Sequence, residues 1–304
     1  MGMKIAIIGG GSIGVRHKRV LEDLGHEVFL VSQHAERSRN VHNSIEELFL
    51  VNSIEYIVIA NETYKHAETI RVIKESTFKG ILLVEKPLNS NLELEAYSQF
   101  KASYLGFNLR FHPAVLRLKA LIDIRRDEIL GVQMHYGNST SNWRPEALSR
   151  ESYSRSVALG GGVLRDFCHE IDLAHWLFGV AKVEYAYGAK LGEFMIDGEN
   201  LVYLTLGGLK MFKVSISLNS LQSLPTRTIT VNTIESEYRV DLINASLTYG
   251  DNVEKFDIDS DYTYQKMHQA ILSSESILLA TIKDGLYVDK IIDEAELLFE
   301  TRNL

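Results

Sequence analysis

Between the apolar run KIAII and an amphipathic run that opens near Ser12 lies GGGSIG, which sets Gly9, Gly11 and Gly14 in GxGxxG register. In such a loop the first glycine permits a tight turn, the second lets backbone approach a pyrophosphate, and the third lets helix and strand pack closely. The N–H groups of Ser12 and Ile13 at the helix start would then face the phosphates. A turn of purely steric origin is the competing reading; its position after the first strand of an alternating series favours the dinucleotide. An NAD preference usually shows as Asp or Glu about 20 residues on. Here the chain reads VFLVSQHAERSR, with Ser32, Gln33 and His34 at that place and Arg37 and Arg39 beyond. The cofactor expected is therefore NAD or NADP, with NADP slightly favoured. Two solvated arginines are the alternative reading.

Two further clusters could move protons. ILLVEKPL puts Glu85, Lys86 and Pro87 at the carboxyl end of a strand, where ligands of open α/β sheets bind and where a lysine can donate to a substrate hydroxyl. A surface lysine before a turn is the plainer reading. The second cluster is GGGVLRDFCHEIDLAHWLFG, residues 160 to 179. Read as one helix from about Leu164 to Phe178, stopped by Gly179, it brings Asp166, His169 and Asp172 within a third of the helix circumference. An imidazole flanked by carboxylates has its tautomer fixed and suits a general base, whereas a solvated polar face is the bland alternative. Cys168 points about 100° away from its neighbour His169 and reads as a small buried thiol. With one cysteine and no paired ligand motif, no metal is expected.

The elements that must position these residues follow from hydrophobic period. Over the first hundred residues, KIAII, EVFLV, YIVIA and GILLV alternate with longer amphipathic runs from Ser12, Ser44, Tyr64 and Asn91 to Lys101, a βαβ series with a parallel sheet. Ser44 and Glu47 form a capping box. Tyr104 to Phe107 reads as a last strand and Pro113 to Ile124 as a connecting helix. After a polar stretch over 139 to 161 and the histidine helix come LVYLTL, MFKVSISL, RTITVN and EYRVDL, strands joined by short turns that favour an antiparallel sheet. Helices over about 261 to 282 and 288 to 302 close the chain. The expected fold is α/β: an N-terminal Rossmann domain over 1–118 and a C-terminal α+β domain over 119–304 with a large, mostly antiparallel sheet.

With 304 residues, 45% apolar and 24% charged, the chain has a globular composition of about two domains. A formal charge of -8 disfavours nucleic acid and anionic membrane as partners. No apolar run reaches membrane-spanning length, no signal-like start is present, and the lone cysteine suits a reducing cytoplasm.

Taken together, GGGSIG with His17 three residues beyond, IANETYKH, EKP, GFNLRFHP and GGGVLRDFCHEID resemble the Gfo/Idh/MocA family, which includes glucose-fructose oxidoreductase and inositol dehydrogenase. The resemblance covers essentially the whole chain. It implies NAD(P)-dependent hydride transfer between nicotinamide and a CHOH or C=O group of a sugar, sugar acid or sugar derivative. It further implies a homo-oligomer, dimer or tetramer, formed through the C-terminal sheet. Lys86 resembles the family's catalytic lysine and His169 its acid/base histidine. The family usually has an Asp four residues before the histidine, whereas Asp166 lies three before it, and Asp172 stands three after; either could take the supporting role. Ala60, Asn61, His66 and Glu85 fall in the segments expected near the cofactor. For substrate, Asn108, Arg110, Trp143, Arg144 and Arg155, with Arg150 and Arg165, suit an anionic sugar, because arginine forks match carboxylate or phosphate and tryptophan can stack on a ring. Ion pairs with Glu146 and Glu151, and a core tryptophan, are the alternatives. A cofactor-binding sensor without chemistry is the alternative function; it would need the glycine loop but neither Lys86 nor His169.

Overall fold

Strands that are apolar along their length need cover on both faces, and four of the first six strands have it at every position or all but the first. The computed structural model describes all residues except 1, 34, 37, 52, 89–91, 126–127, 140–154, 192–196, 209–210, 275–276 and 303–304. In chain order come β1 (Lys4–Ile8), α1 (Ser12–Asp23), β2 (Glu27–Val31), β3 (Val41–His42), α2 (Ile45–Val51) and β4 (Tyr56–Ile59). A 3-10 turn at Thr63–Lys65 leads into α3 (His66–Glu75), followed by β5 (Ile81–Val84) and β6 (Ala102–Leu105). All of β4 and β5, and all of β1 and β2 but their first residues, are buried. These strands form a parallel sheet in the order β6-β5-β4-β1-β2-β3. The chain steps outward from β1 through β2 and β3, then outward the other way from β4 through β5 and β6. Strand order therefore reverses between β1 and β4, which opens a crevice at their carboxyl ends.

Local signals explain most boundaries. Ser44 Oγ accepts the Glu47 N–H at 3.2 Å and the Glu47 carboxylate accepts the Asn43 N–H at 3.0 Å, a capping box whose return arm reaches one residue further back. A helix was expected from Asn91 to Lys101; among the described residues of that run, 92 to 101, the chain forms a 3-10 turn at Leu94–Tyr97 and no α-helix. There Ser98 Oγ donates to the Glu95 carbonyl at 2.7 Å, a local bond that competes with helix continuation.

The chain continues with α4 (Pro113–Asp123), β7 (Ile129–Gly137), α5 (Val163–Asp166), α6 (His169–Phe178), β8 (Val180–Ala189), β9 (Leu201–Gly208), β10 (Val214–Asn219), β11 (Thr226–Thr233), β12 (Glu237–Asp241), β13 (Ser246–Tyr249) and β14 (Asn252–Lys255). The eight strands form one sheet in the order β14-β13-β12-β11-β7-β10-β9-β8, antiparallel at every pair except β7 with β10. Burial alternates along β9, β10 and β12, as a sheet with one covered face requires, and α6 packs on β7, β8 and β10.

Next come α7 (Tyr262–Ser273), β15 (Ala280–Thr281) and α8 (Ile282–Arg302), where helices over about 261 to 282 and 288 to 302 were expected. Ser274 adopts φ 63° and ends α7. Two units result, residues 1–108 with 260–286 and residues 109–259 with 287–304. A single break after residue 118 is thus corrected twice. The helix α4 packs on β12 and β13 of the second unit, and β15 returns to the first sheet to pair antiparallel with β6. Among the described residues no helix is long and apolar enough to cross a membrane.

Candidate functional site

The glycine loop spans the carboxyl end of β1 at the point where strand order reverses. Gly9 has φ 115°, and a Cβ there would lie 2.5 Å from both the Ala60 oxygen and the Asn61 nitrogen. A Cβ on Gly14 would lie 2.0 Å from the Gly9 oxygen, so these two glycines are demanded by the packing of the protein on itself. Gly11 differs: its φ of -71° is open to any residue, and a Cβ there would meet nothing within 4 Å. The fold leaves open space in front of the middle glycine, where the dinucleotide motif requires backbone to approach a pyrophosphate. No side chain caps α1, and its first turn carries no acidic residue, so the N–H groups of Ser12, Ile13 and Gly14 open the helix without an internal anion. Ser32 stands beside the loop, since a Cβ on Gly10 would lie 2.5 Å from its Oγ. The residues fit a dinucleotide.

Ala60 and Asn61 border the same crevice through their backbone contact with Gly9. The Asn61 amide donates to Thr69 Oγ1 at 2.8 Å. His66, expected at the cofactor, is instead 1% exposed and braces two loops. Its Nδ1 lies 3.1 Å from the Pro87 oxygen and 3.3 Å from that of Leu88, and its Nε2 lies 3.2 Å from the Asn61 oxygen. Burial pushes this imidazole below its ordinary pKa while the facing carbonyls oppose the shift. Lys86 follows β5 and is joined to Pro87 by a cis peptide. Glu85, also expected near the cofactor, makes internal bonds on both carboxylate oxygens. It is 7% exposed, with Oε1 3.0 Å from His17 Nε2 and Oε2 accepting the Lys86 backbone N–H at 3.3 Å. A Cβ on Gly106 would fall 2.3 Å from Glu85 Oε1, so the glycine leaves room for that carboxylate. Asn108, expected at substrate, is buried and donates its amide to Thr263 Oγ1 at 2.7 Å, an internal tie.

In the second unit the histidine segment is not one helix. The helix α5 ends at Asp166, Phe167 leaves helical geometry at φ -107°, ψ 25°, and α6 begins at His169. Phe167 is buried with its ring centroid 4.2 Å from that of Tyr136 on β7, and this packing accompanies the break. Asp166 therefore does not share a helix face with His169 by the expected 3.6-residue period; His169 and Asp172 still do, on α6. His169 is 9% exposed, at the first position of its helix. Asp172 is 1% exposed and accepts two bonds from Arg110, Nε to Oδ2 at 3.0 Å and Nη2 to Oδ1 at 2.5 Å. The fork expected to meet an anionic substrate and one carboxylate expected to support His169 are thus engaged with each other inside the protein. The Arg110 guanidinium also lies over the Trp176 ring at 5.5 Å.

Of the basic cluster, Arg165 forms a two-pronged ion pair with Glu296. Arg155 is half-buried. Arg37, Trp143, Arg144 and Arg150 lie outside the described residues. Cys168 is buried and forms no disulfide. The sequence reading missed Glu170, which is 2% exposed and accepts from Arg227 Nε at 2.7 Å and Nη2 at 2.9 Å, with Arg227 over the Tyr136 ring at 4.1 Å. A carboxylate on α6, a helix with no Lys or Arg of its own to pair it, was the signal, since a buried charge needs a partner. Burial and the Arg227 charge push the nearby His112 imidazole down to about 4. Among the described residues no group of three acidic, His or Cys side chains could hold a metal.

The sequence matches no protein-family model and no curated protein. Solved structures do match. Levoglucosan dehydrogenase in complex with NADH is 17% identical, with 98% of each chain covered and a TM-score of 0.80. GenD2 from gentamicin A biosynthesis, in complex with NAD, is 18% identical over 98% of this chain and 94% of its own, at 0.78. The WlbA dehydrogenase from Bordetella pertussis, in complex with NADH and UDP-GlcNAcA, is 17% identical over 97% of each chain, at 0.74. The chain has the fold of these proteins.

Proposed function

We propose that this chain is an NAD(P)-dependent oxidoreductase of the Gfo/Idh/MocA type, acting between a CHOH group and its carbonyl on a sugar, sugar acid or sugar derivative. The observation that carries the reading is Gly11, a glycine that neither backbone angle nor packing requires, set at the reversal of strand order with an uncapped helix behind it. The NAD or NADH bound by three proteins with the same fold supports it. When bound, the nicotinamide supplies or takes up the hydride. In the oxidative direction His169 takes the hydroxyl proton and the Lys86 ammonium polarises the same oxygen. Asp166 is the supporting carboxylate, since Asp172 is engaged by Arg110. Ser32 and Gln33 in place of an acidic residue support NADP alongside NAD. A cytoplasmic protein that associates through the second sheet, where Tyr185, Tyr187 and Tyr203 are exposed, completes the reading.

The test is a panel of sugars, sugar acids and nucleotide sugars assayed by reduced-nicotinamide absorbance with NADH and with NADPH. Turnover with a KM for NADPH no higher than for NADH is expected, and a marked NADH preference would overturn the NADP element. Tight cofactor binding without turnover across the panel would favour the sensor. Two glycine variants separate the cradle from the fold. Gly11→Ala should weaken NADH binding at least about tenfold while changing stability by less than about 1 kcal/mol. Gly14→Ala, whose new methyl meets the Gly9 carbonyl, should lose roughly 1–3 kcal/mol of stability as well. Fluorescence titration and thermal melting read the two effects.

A further inference from the structure

Behind Lys86 four buried side chains from four elements of the first unit are joined in a line that the chemistry above does not use. Tyr56 Oη, on β4, lies 2.9 Å from His268 Nδ1 on α7. His268 Nε2 lies 2.8 Å from His17 Nδ1 on α1, and His17 Nε2 lies 3.0 Å from Glu85 Oε1 at the end of β5. Tyr56, His17 and His268 are all 0% exposed. We propose that Tyr56, His268 and His17 are positioning residues: a hydrogen-bonded chain running one way, from the Tyr56 hydroxyl to the Glu85 carboxylate, that holds Glu85 and through it the backbone of Lys86.

The direction follows from donors and acceptors. The Tyr56 hydroxyl has His268 as its one hydrogen-bond partner among the described residues, so a buried O–H satisfied in this structure donates to Nδ1. Burial holds the phenol well above, and the His268 imidazole well below, their ordinary pKa values, which agrees with a protonated phenol beside a neutral ring. A neutral His268 that accepts at Nδ1 carries its hydrogen on Nε2. Two N–H groups cannot face each other at 2.8 Å, so His17 Nδ1 accepts and the His17 hydrogen sits on Nε2, aimed at Glu85 Oε1. The opposite direction would strand the Tyr56 hydrogen without an acceptor. Glu85 then receives His17 on one oxygen and the Lys86 N–H on the other. This inference rests on the proposed function only for the role of Lys86.

Nitrogen-15 spectra of the histidine rings, recorded on the full chain at neutral pH, test it without any turnover. In the unmodified protein His17 and His268 should both carry hydrogen on Nε2 and a bare Nδ1. A hydrogen on His17 Nδ1 would overturn the direction. Tyr56→Phe removes the only donor at the far end, so the ring pattern of His17 should change although His268 stands between the two side chains; a space-filling Tyr56 would leave it as it was, and that result would overturn the chain. With turnover established, the same variant should lower kcat roughly fivefold, equivalent to one hydrogen bond of about 1 kcal/mol, with KM for the cofactor unchanged. An unchanged kcat would overturn the link to Lys86. Absence of turnover in the unmodified protein would count against the proposed function alone, because the ring pattern stands independently of it.

Discussion

Replacing Lys86 by Ala, and separately His169 by Ala, is expected to cut turnover at least about a hundredfold, the lower range for acid–base groups, with NADH affinity near that of the unmodified protein. The separation of the two effects comes from where the chain puts its parts. The space before Gly11 and the N–H groups of α1 belong to the β1 loop, which neither substitution touches. Lys86 lies in the β5 loop, its backbone N–H received by Glu85 and the carbonyls after it faced by His66, so removing its side chain leaves those supports in place. His169 stands on α6, in the unit that lacks the glycine loop altogether. Steady-state rates on the best substrate and fluorescence titration with NADH measure the two quantities independently. Near-normal turnover in either variant would remove that residue from proton transfer. Loss of NADH binding in the Lys86 variant would instead make the lysine part of the cofactor site.

What the sequence disclosed divides along physical lines. Patterns with a local cause were readable: the all-apolar strands that need two covered faces, the glycines whose spacing follows from turn and packing, the Ser44 cap, the Gly179 stop. Features whose cause lies elsewhere in the chain were not. The break at Phe167 accompanies a ring packed at a tilt against Tyr136 on β7, some thirty residues earlier in the sequence, and the apolar period over 164 to 178 gives no hint of it. The return of α7 and β15 to the first unit depends on an edge strand of two residues, too short to register as a pattern. Buried ion pairs are the hardest case. Arg110 and Asp172 are 62 positions apart, and Arg227 and Glu170 are 57 apart, so each charge viewed alone looks available to a ligand. The type of residue announced chemistry at Arg110 and Asp172 but not at Glu170 and Arg227. Only their pairing in space told a carboxylate that can serve a substrate from one already engaged.

That distinction sets the second large effect. Asp172→Ala should destabilise the second unit by about 3–5 kcal/mol, because it strands the Arg110 guanidinium in a site where it is 2% exposed. For a unit of this size the melting midpoint should fall by roughly 6–20 °C. The reverse substitution, Arg110→Ala, should cost a similar amount by stranding the carboxylate. Replacing both together, Arg110→Met with Asp172→Leu, should recover much of the loss, since two buried charges are traded for apolar side chains of similar volume and neither ion is left unpaired. Asp166→Asn makes the contrast. Asp166 is half-buried at the end of a short helix, so its amide variant should melt near the unmodified protein while turnover falls roughly tenfold or more. Thermal melts of these four variants and of Asp172→Asn, alongside their rates, decide between the two carboxylates. A stable but inactive Asp172→Asn, with Asp166→Asn fully active, would return the supporting role to Asp172 and make the Arg110 bond part of the catalytic arrangement.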